Sequence, residues 1–282
     1  MSNSLKGISS IKGLSSIQYA PNLDAAAAAF ITAAGISDST QINAINALVI
    51  AAKANGWWTL CNAIYPFVGG TATTHKYNLK DPRDLDAAFR IVWNGSWTHN
   101  ANGITGDGST AYGDTKIVPT TVLTASNTHA SIYCRTDNDP GLISDYGETD
   151  DIGPPFTSPR ISTHLRFGGT MYADQYNVDV NRQAIANANC AAHFIHTRSA
   201  STSQKSYKNG SDMGSENTTV STDFSSNVFN MFIGAVNANN TAQNFSNRNY
   251  AFFTVGAGIS GGVAALMYAD IQTFQTSLSR QV

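Results

Sequence analysis

Residues 249–282 read NYAFFTVGAGISGGVAALMYADIQTFQTSLSRQV. Tyr250, Phe252, Phe253, Thr254 and Val255 are aromatic or β-branched, which predicts a strand buried on at least one face. Gly256, Ala257 and Gly258 break it. Ser260 stands at an N-cap position, and Val263, Leu266, Met267, Ile271, Phe274 and Leu278 recur at helical spacing. A strand that passes directly into an amphipathic helix predicts a sheet domain closed by a helix. No residue in the stretch is placed for chemistry.

Upstream the pattern is one of short strands between turns. Residues 129–135, 159–167, 171–178 and 190–198 alternate as strands do. Asn209-Gly210, between residues 203–208 and Ser211, is a hairpin turn signal. Residues 87–92 predict a short strand, and Asn94-Gly95 and Asn102-Gly103 bracket Trp97 and Thr98 as in a hairpin. Residues 142–146 resume the sheet. Residues 148–159, acidic and Pro-rich, and residues 237–249, NANNTAQNFSNRN, predict loops.

The order of these pieces resembles that of concanavalin A-like (laminin G-like) jelly-roll domains, in particular the version in bacteriophage virion proteins, over about residues 60–282. Several short motifs carry the resemblance. The closing strand, Gly-rich break, Ile259-Ser260 and last helix are one. Tyr65-Pro66-Phe67-Val68-Gly69-Gly70 and the segment from His75 to Pro82 resemble the entry to the jelly roll. Gly103, Asp107-Gly108 and Tyr112 fit G-x-x-x-D-G-x-x-x-Y, Tyr207-x-Asn209-Gly210 fits Y-x-N-G, and Phe232-Ile233-Gly234 closes a further strand. The resemblance implies a mostly β, concanavalin A-like jelly-roll sandwich with an N-terminal helical hairpin and a C-terminal helix. It also implies a virion structural protein of fibre or decoration type, commonly trimeric, with Asp107-Gly108 mainly structural.

Charged residues are 13% of the chain and the formal net charge is −2. The surface is therefore rich in hydroxyls and amides, as in extracellular or virion β proteins. No basic cluster exceeds two adjacent residues, so nucleic acid is not an expected partner. Residues 1–11 lack an apolar signal core, and no apolar run is long enough to span a membrane. Cys61, Cys134 and Cys190 are far apart and odd in number, which predicts buried thiols.

Residues 1–21 carry the echo LKGISS, IKGLSS, with Leu5, Ile8, Ile11, Leu14 and Ile17 spaced by three. Alone they cannot bury enough surface to order themselves. A free tail and an attachment arm that orders against other virion proteins both fit. Residues 22–58 predict an αα-hairpin: residues 25–33, capped by Asn22 or Asp24 and ended by Gly35, then residues 39–54, capped by Ser37 or Asp38. Trp57 and Trp58 anchor it to the sandwich of residues 59–282.

No catalytic set stands out. Glycoside hydrolysis takes two carboxylates at defined separation, and both glutamates, Glu148 and Glu216, read as loop or turn residues. Six histidines are scattered. His193 and His196, at odd spacing, lie on opposite faces of one strand and cannot share a metal. Binding remains. Sugar sites combine an aromatic platform with a few amides or carboxylates. Three sets qualify: Trp93 and Trp97 with Asp107; Tyr172, Tyr176 and Asn177; and Asn237, Asn239 and Asn240 with the rest of their loop. Core packing of the tryptophans and a solvated connector for the Asn loop are the structural alternatives. Asp107 could also meet calcium, an ion that needs six to eight oxygen donors.

Overall fold

The computed structural model describes residues 23–153, 157–222 and 227–282. The expected attachment arm, with Leu5, Ile8, Ile11, Leu14 and Ile17, lies outside the described residues. Helices α1 (Ala25–Ala34) and α2 (Ser39–Ala54) come first. The Asp24 carboxylate accepts from the Ala26 N–H and Asp38 from Gln41, and Gly35, at φ 66°, ends α1 in the left-handed conformation glycine adopts at little cost. After a 3-10 turn come β1 (Cys61–Tyr65), the single turn α3 (Ala72–His75), β2 (Val92–Asn94), β3 (Thr98–Asn100), β4 (Gly103–Thr105) and β5 (Tyr112–Asp114). The turn α4 (Pro119–Val122) precedes β6 (Thr128–Cys134), β7 (Tyr146–Thr149), β8 (Arg160–Phe167), β9 (Thr170–Asn177), β10 (Gln183–Ala186) and β11 (Ala192–Ala200). The remaining elements are β12 (Ser203–Lys208), β13 (Ser211–Asp212), β14 (Phe232–Ile233), β15 (Val236–Ala238), β16 (Thr241–Gln243), β17 (Asn249–Gly256) and α5 (Gly261–Ser277).

The strands form a two-sheet β-sandwich. The first sheet runs β13-β12-β11-β6-β17-β4-β3, with β1 also on β17. The second runs β10-β9-β8-β7-β14-β5-β2. All pairs are antiparallel except β15, which joins the outer part of β7 in parallel. The helices make a third layer. One apolar cluster lies between the sheets, with Ile132, Tyr146, Ile161, Phe194 and Phe253. Another joins α1, α2 and α5 to the outer face of the first sheet through Tyr133, Ile195, Tyr207 and Phe252. The strand read from residues 250–255 is therefore buried on both faces. Trp57 is fully buried and donates from Nε1 to Asp270 of α5 at 2.7 Å, so it ties the hairpin to the last helix. No helix among the described residues is long and apolar enough to cross a membrane.

Several elements differ from their sequence reading. Ala87 and Ala88 lie in a 3-10 turn that ends at Phe89, whose φ is 61°, so the strand starts at Val92. Asn94-Gly95 crosses between sheets, because β2 pairs with β5 while β3 pairs with β4; only Ala101-Asn102 makes a hairpin there. Glu148 and Thr149 belong to β7. The Asn-rich stretch forms the β15–β16 hairpin, with Asn239 at φ 49° and Asn240 at φ 66°. Asparagine tolerates that region, so the pair fits a two-residue turn as Asn-Gly does. Leu266 of α5 faces solvent, and Ala264 and Gln275 take places in the buried stripe.

Candidate functional site

Alternation along β8 and β9 builds the site. Ile161, Thr163 and Leu165 point between the sheets, so Arg160, Ser162 and His164 stand on the outer face of the second sheet. Antiparallel pairing sets Asp174 opposite Ser162 and Tyr172 opposite His164. The Asp174 carboxylate, fully buried, accepts from Arg182 at 2.7 Å, Ser162 at 2.8 Å and Arg160 at 3.2 Å. Asp179 accepts from the same two guanidiniums, at 2.7 Å and 3.1 Å. The two positive charges thus meet two negative ones, and the cluster is neutral as a unit. The Arg182 guanidinium also lies 4.8 Å over the Tyr172 ring.

Over this floor the β15–β16 hairpin and the segment around Asp151 leave a cleft of about 310 Å³. His164 opens into it. Its Nδ1 lies 2.6 Å from the Ile143 carbonyl and so carries the proton, which makes Nε2 an acceptor. Burial, then the Arg182 charge, holds the imidazole below its ordinary pKa. The Asp151 carboxylate accepts the Ser158 N–H at 2.9 Å, and the Asn244 side chain lines the wall. Ile152 and Leu142 stand at the rim, 70% and 49% exposed. The cleft offers acceptors and amides low down and apolar surface at its mouth. That is the donor, acceptor and C–H pattern of a sugar ring.

Of the residues singled out in the sequence, Tyr172 does not line the cleft but packs against two residues that do, Arg182 and His164, and Asn237 is in the hairpin that walls it. Asn237 is buried and donates to the Asn230 carbonyl at 2.8 Å, while Asn239 and Asn240 form the exposed hairpin tip. Tyr176 is 2% exposed, packed in the core, and offers no ring surface. Trp93 and Trp97 are elsewhere, where β2 and β3 close the sandwich edge. Their rings meet at 5.3 Å, and Trp93 packs on His99 at 4.9 Å and donates to the Ala72 carbonyl at 2.9 Å. The Asp107 turn lies against the same edge: the Ser96 N–H, next to Trp97, donates to the Thr110 hydroxyl at 3.1 Å, and that hydroxyl donates to Asp107. Its Oδ1 accepts the N–H groups of Ser109, Thr110 and Ala111, and Oδ2 accepts the Thr110 hydroxyl at 2.5 Å. Burial works against the charge, but these bonds outweigh it and hold the carboxyl well below the usual range. The oxygens that calcium would use serve the turn instead.

Arg160, Asp174, Asp179, Arg182 and His164 were missed by sequence reading. A signal existed: with the β8–β9 hairpin registered at Gly168-Gly169, their alternation places charges of both signs on one face. His193 and His196 do lie on opposite faces: His193 stacks between Tyr133 and Tyr268, and His196 meets Thr163 and Ser206 between the sheets. The three cysteines are free and buried. Among the described residues no three His, Cys, Asp or Glu side chains are grouped to hold a metal.

No protein-family model matches this chain, and no curated protein sequence does. Some solved structures are similar over part of the chain. A sialidase, NanB, from Streptococcus pneumoniae is 12% identical with a TM-score of 0.43, over 59% of this chain and 26% of that one. A carbohydrate-binding CBM40 module of the Ruminococcus gnavus IT-sialidase, solved with α2,3-sialyllactose, is 11% identical with a TM-score of 0.41, over 61% of this chain and 91% of the module. A Trypanosoma rangeli sialidase is 12% identical with a TM-score of 0.43, over 80% of this chain and 39% of that one. The chain thus spans about a quarter of the pneumococcal enzyme. Likeness at this level carries no argument about family, ligand or activity.

Proposed function

We propose that this is a non-enzymatic glycan-binding protein displayed from a phage particle, as a fibre or decoration protein of head or tail. The observation that carries the binding part is the cleft on the second sheet. Its guanidiniums are already matched by Asp174 and Asp179, so a neutral, hydroxyl-rich ligand fits better than an anion. Sugar hydroxyls would donate to Asp151 and His164 Nε2 and pair with the Asn244 amide, and the C–H face would rest on Ile152 and Leu142. The particle setting, a trimeric assembly and attachment through residues 1–21 are supported by the resemblance to phage jelly-roll proteins.

The test is binding of the purified native oligomer to a broad glycan and host-envelope array, with calcium and with chelator. Asp151→Asn and Ile152→Ser change exposed or rim groups and leave the buried charge network intact. Each should weaken glycan binding about tenfold, the scale of one lost charged hydrogen bond or apolar contact. Hydrolysis of a bound glycan would refute the non-enzymatic part. Clean absence of binding by folded oligomer would make the cleft network a purely structural device of a virion component. Deletion of residues 1–21 should abolish incorporation into particles, and sedimentation of the oligomer should give three subunits.

A further inference from the structure

Cys134 ends β6, and Cys190 stands two residues before Ala192, the first residue of β11 and the cross-strand partner of Cys134. Both side chains belong to the apolar cluster between the sheets. They meet at one acceptor: the Thr136 carbonyl lies 3.3 Å from the Cys134 sulfur and 3.2 Å from the Cys190 sulfur. The Cys190 thiol also lies 3.2 Å from the Asn138 carbonyl and 3.6 Å from Asp137 Oδ1, and that carboxylate oxygen accepts the Cys190 N–H at 3.0 Å. The segment that receives both thiols is itself held. Arg248, fully buried and paired with Asp145 at 2.7 Å, donates to the Asn138 side chain and to its carbonyl, each at 2.9 Å. Cys61 belongs to the other layer, in the cluster under the helices, 3.8 Å from His129 Nε2.

The two thiols differ in reactivity. The Cys134 thiol holds Cys190 below its ordinary pKa, and the Arg248 charge adds to this against burial. Burial pushes Cys134 well above the ordinary value, and Cys61 up to about 12. The thiolate is the nucleophile in thiol oxidation, so Cys190 reacts first and Cys134 resolves. Cys190 also follows the exposed Ala188 and Asn189, so a local opening of the β10–β11 connection admits a small oxidant. With hydrogen peroxide, the Cys190 thiolate attacks one peroxide oxygen and the O–O bond breaks. The hydroxide released takes up the proton that Cys190 had lost, giving water and a Cys190 sulfenic acid. The Cys134 sulfur then attacks the Cys190 sulfur. The S–S bond forms, the S–O bond breaks, and the leaving hydroxide takes the Cys134 proton as a second water. The pair gives up two electrons and two protons, and one peroxide is reduced to two waters.

We propose that Cys134 and Cys190 are a disulfide-forming pair, closed by a peroxide to tie the end of β6 to the approach to β11 while Cys61 stays reduced. The pair does not depend on the cleft's role. The experiment treats the full chain, purified in reductant and then freed of it, with hydrogen peroxide. Remaining thiols are blocked with N-ethylmaleimide, and the cysteine peptides are mapped by mass spectrometry without reduction. The expected product joins the Cys134 and Cys190 peptides within one chain, lighter than the reduced pair by two hydrogens, with Cys61 alkylated. The link closes a long loop, so Tm should rise by roughly 5–10 °C on oxidation and return with dithiothreitol. Cys134→Ser should leave Cys190 as a sulfenic acid that dimedone traps, and Cys61→Ala should leave the link and the Tm rise unchanged. Three alkylated cysteines after treatment of the folded wild-type chain would overturn the proposal. So would a link through Cys61, a link between chains, or a Tm that does not rise when the pair is oxidised.

Discussion

Glu148 lies on the interior face of β7, one pleat from Tyr146, and is fully buried. Neither carboxyl oxygen has a hydrogen-bond partner of ordinary geometry among the described residues. Burial pushes its pKa well above the usual range; the Asn227 amide and the Ile161 backbone act the other way but do not win. The folded state therefore holds this proton to higher pH than the unfolded chain does. Stability is lost as pH rises above the unfolded carboxyl value of 4.5. Glu148→Gln should therefore stabilise more at pH 8 than at pH 5. Urea denaturation of both proteins at the two pH values checks it, and an equal difference at both would sink the idea. Sequence reading put Glu148 in a loop because Asp150, Asp151 and the prolines follow it; the strand ends only one residue later. Arg160 and Asp174 were hidden the opposite way, since strand charges read as solvent-facing until Arg182 and Asp179 are seen to pair with them.

At the scale of elements, the C-terminal helix shows how far a periodicity argument reaches. The stripe of Met267, Ile271 and Phe274 was legible and is buried as expected. What holds the end of the helix was not legible, because its partners are distant in sequence. Arg280 is 1% exposed and pairs with no carboxylate among the described residues. Its guanidinium donates to the carbonyls of Pro66 at 2.6 Å, Phe67 at 2.7 Å and Ala251 at 3.0 Å, and to Gln275 Oε1 at 2.5 Å. Burial lowers its pKa to about 9, and four acceptors depend on it. Arg280→Ala should cost about 3–5 kcal/mol, the range for stripping a buried charged donor from its acceptors. Amide exchange should quicken through the last turns of α5, while Gln281→Ala, at an exposed position, should leave both unchanged. A loss below about 1 kcal/mol would mean water replaces the guanidinium without penalty.

Across the whole molecule, the six histidines behave as one acid-sensitive set. Burial lowers the pKa of His75 and His193 to about 3, and of His99, His129 and His196 to about 4. Burial also lowers His164. Each is neutral when folded, while the unfolded chain takes up protons near the ordinary value of 6.5. Stability is therefore intact above about pH 6.5 and lost as pH falls toward the folded values. The denaturation midpoint should drop steeply between pH 6.5 and 4.5, with several protons taken up per chain unfolded. The Glu148 effect runs the other way with one proton, so it softens this slope without reversing it. A midpoint flat over that interval would show that these rings are charged in the folded protein. The cause of the shared behaviour is the three-layer build: both faces of the first sheet are covered, so His129, His193 and His196 have no solvent-facing side to occupy.

Local chemistry in the sequence determined most of the elements. The caps Asp24 and Asp38, the αL glycine Gly35, the Asn209-Gly210 hairpin and the alternation along β6, β8, β9 and β11 depend on residues within a few positions of one another. So does the placement of His193 and His196 on opposite faces. Only the tertiary structure decided the rest. It closed Arg160 and Arg182 over Asp174, set Trp93 and Trp97 at the sandwich edge beside the turn that Asp107 holds, and put the Tyr207 hydroxyl beside the start of α5. Those contacts join segments tens to hundreds of residues apart, and which segments meet is decided by how the sheets register and pack. Periodicity places a side chain on one side of its own strand but does not carry what will lie against it.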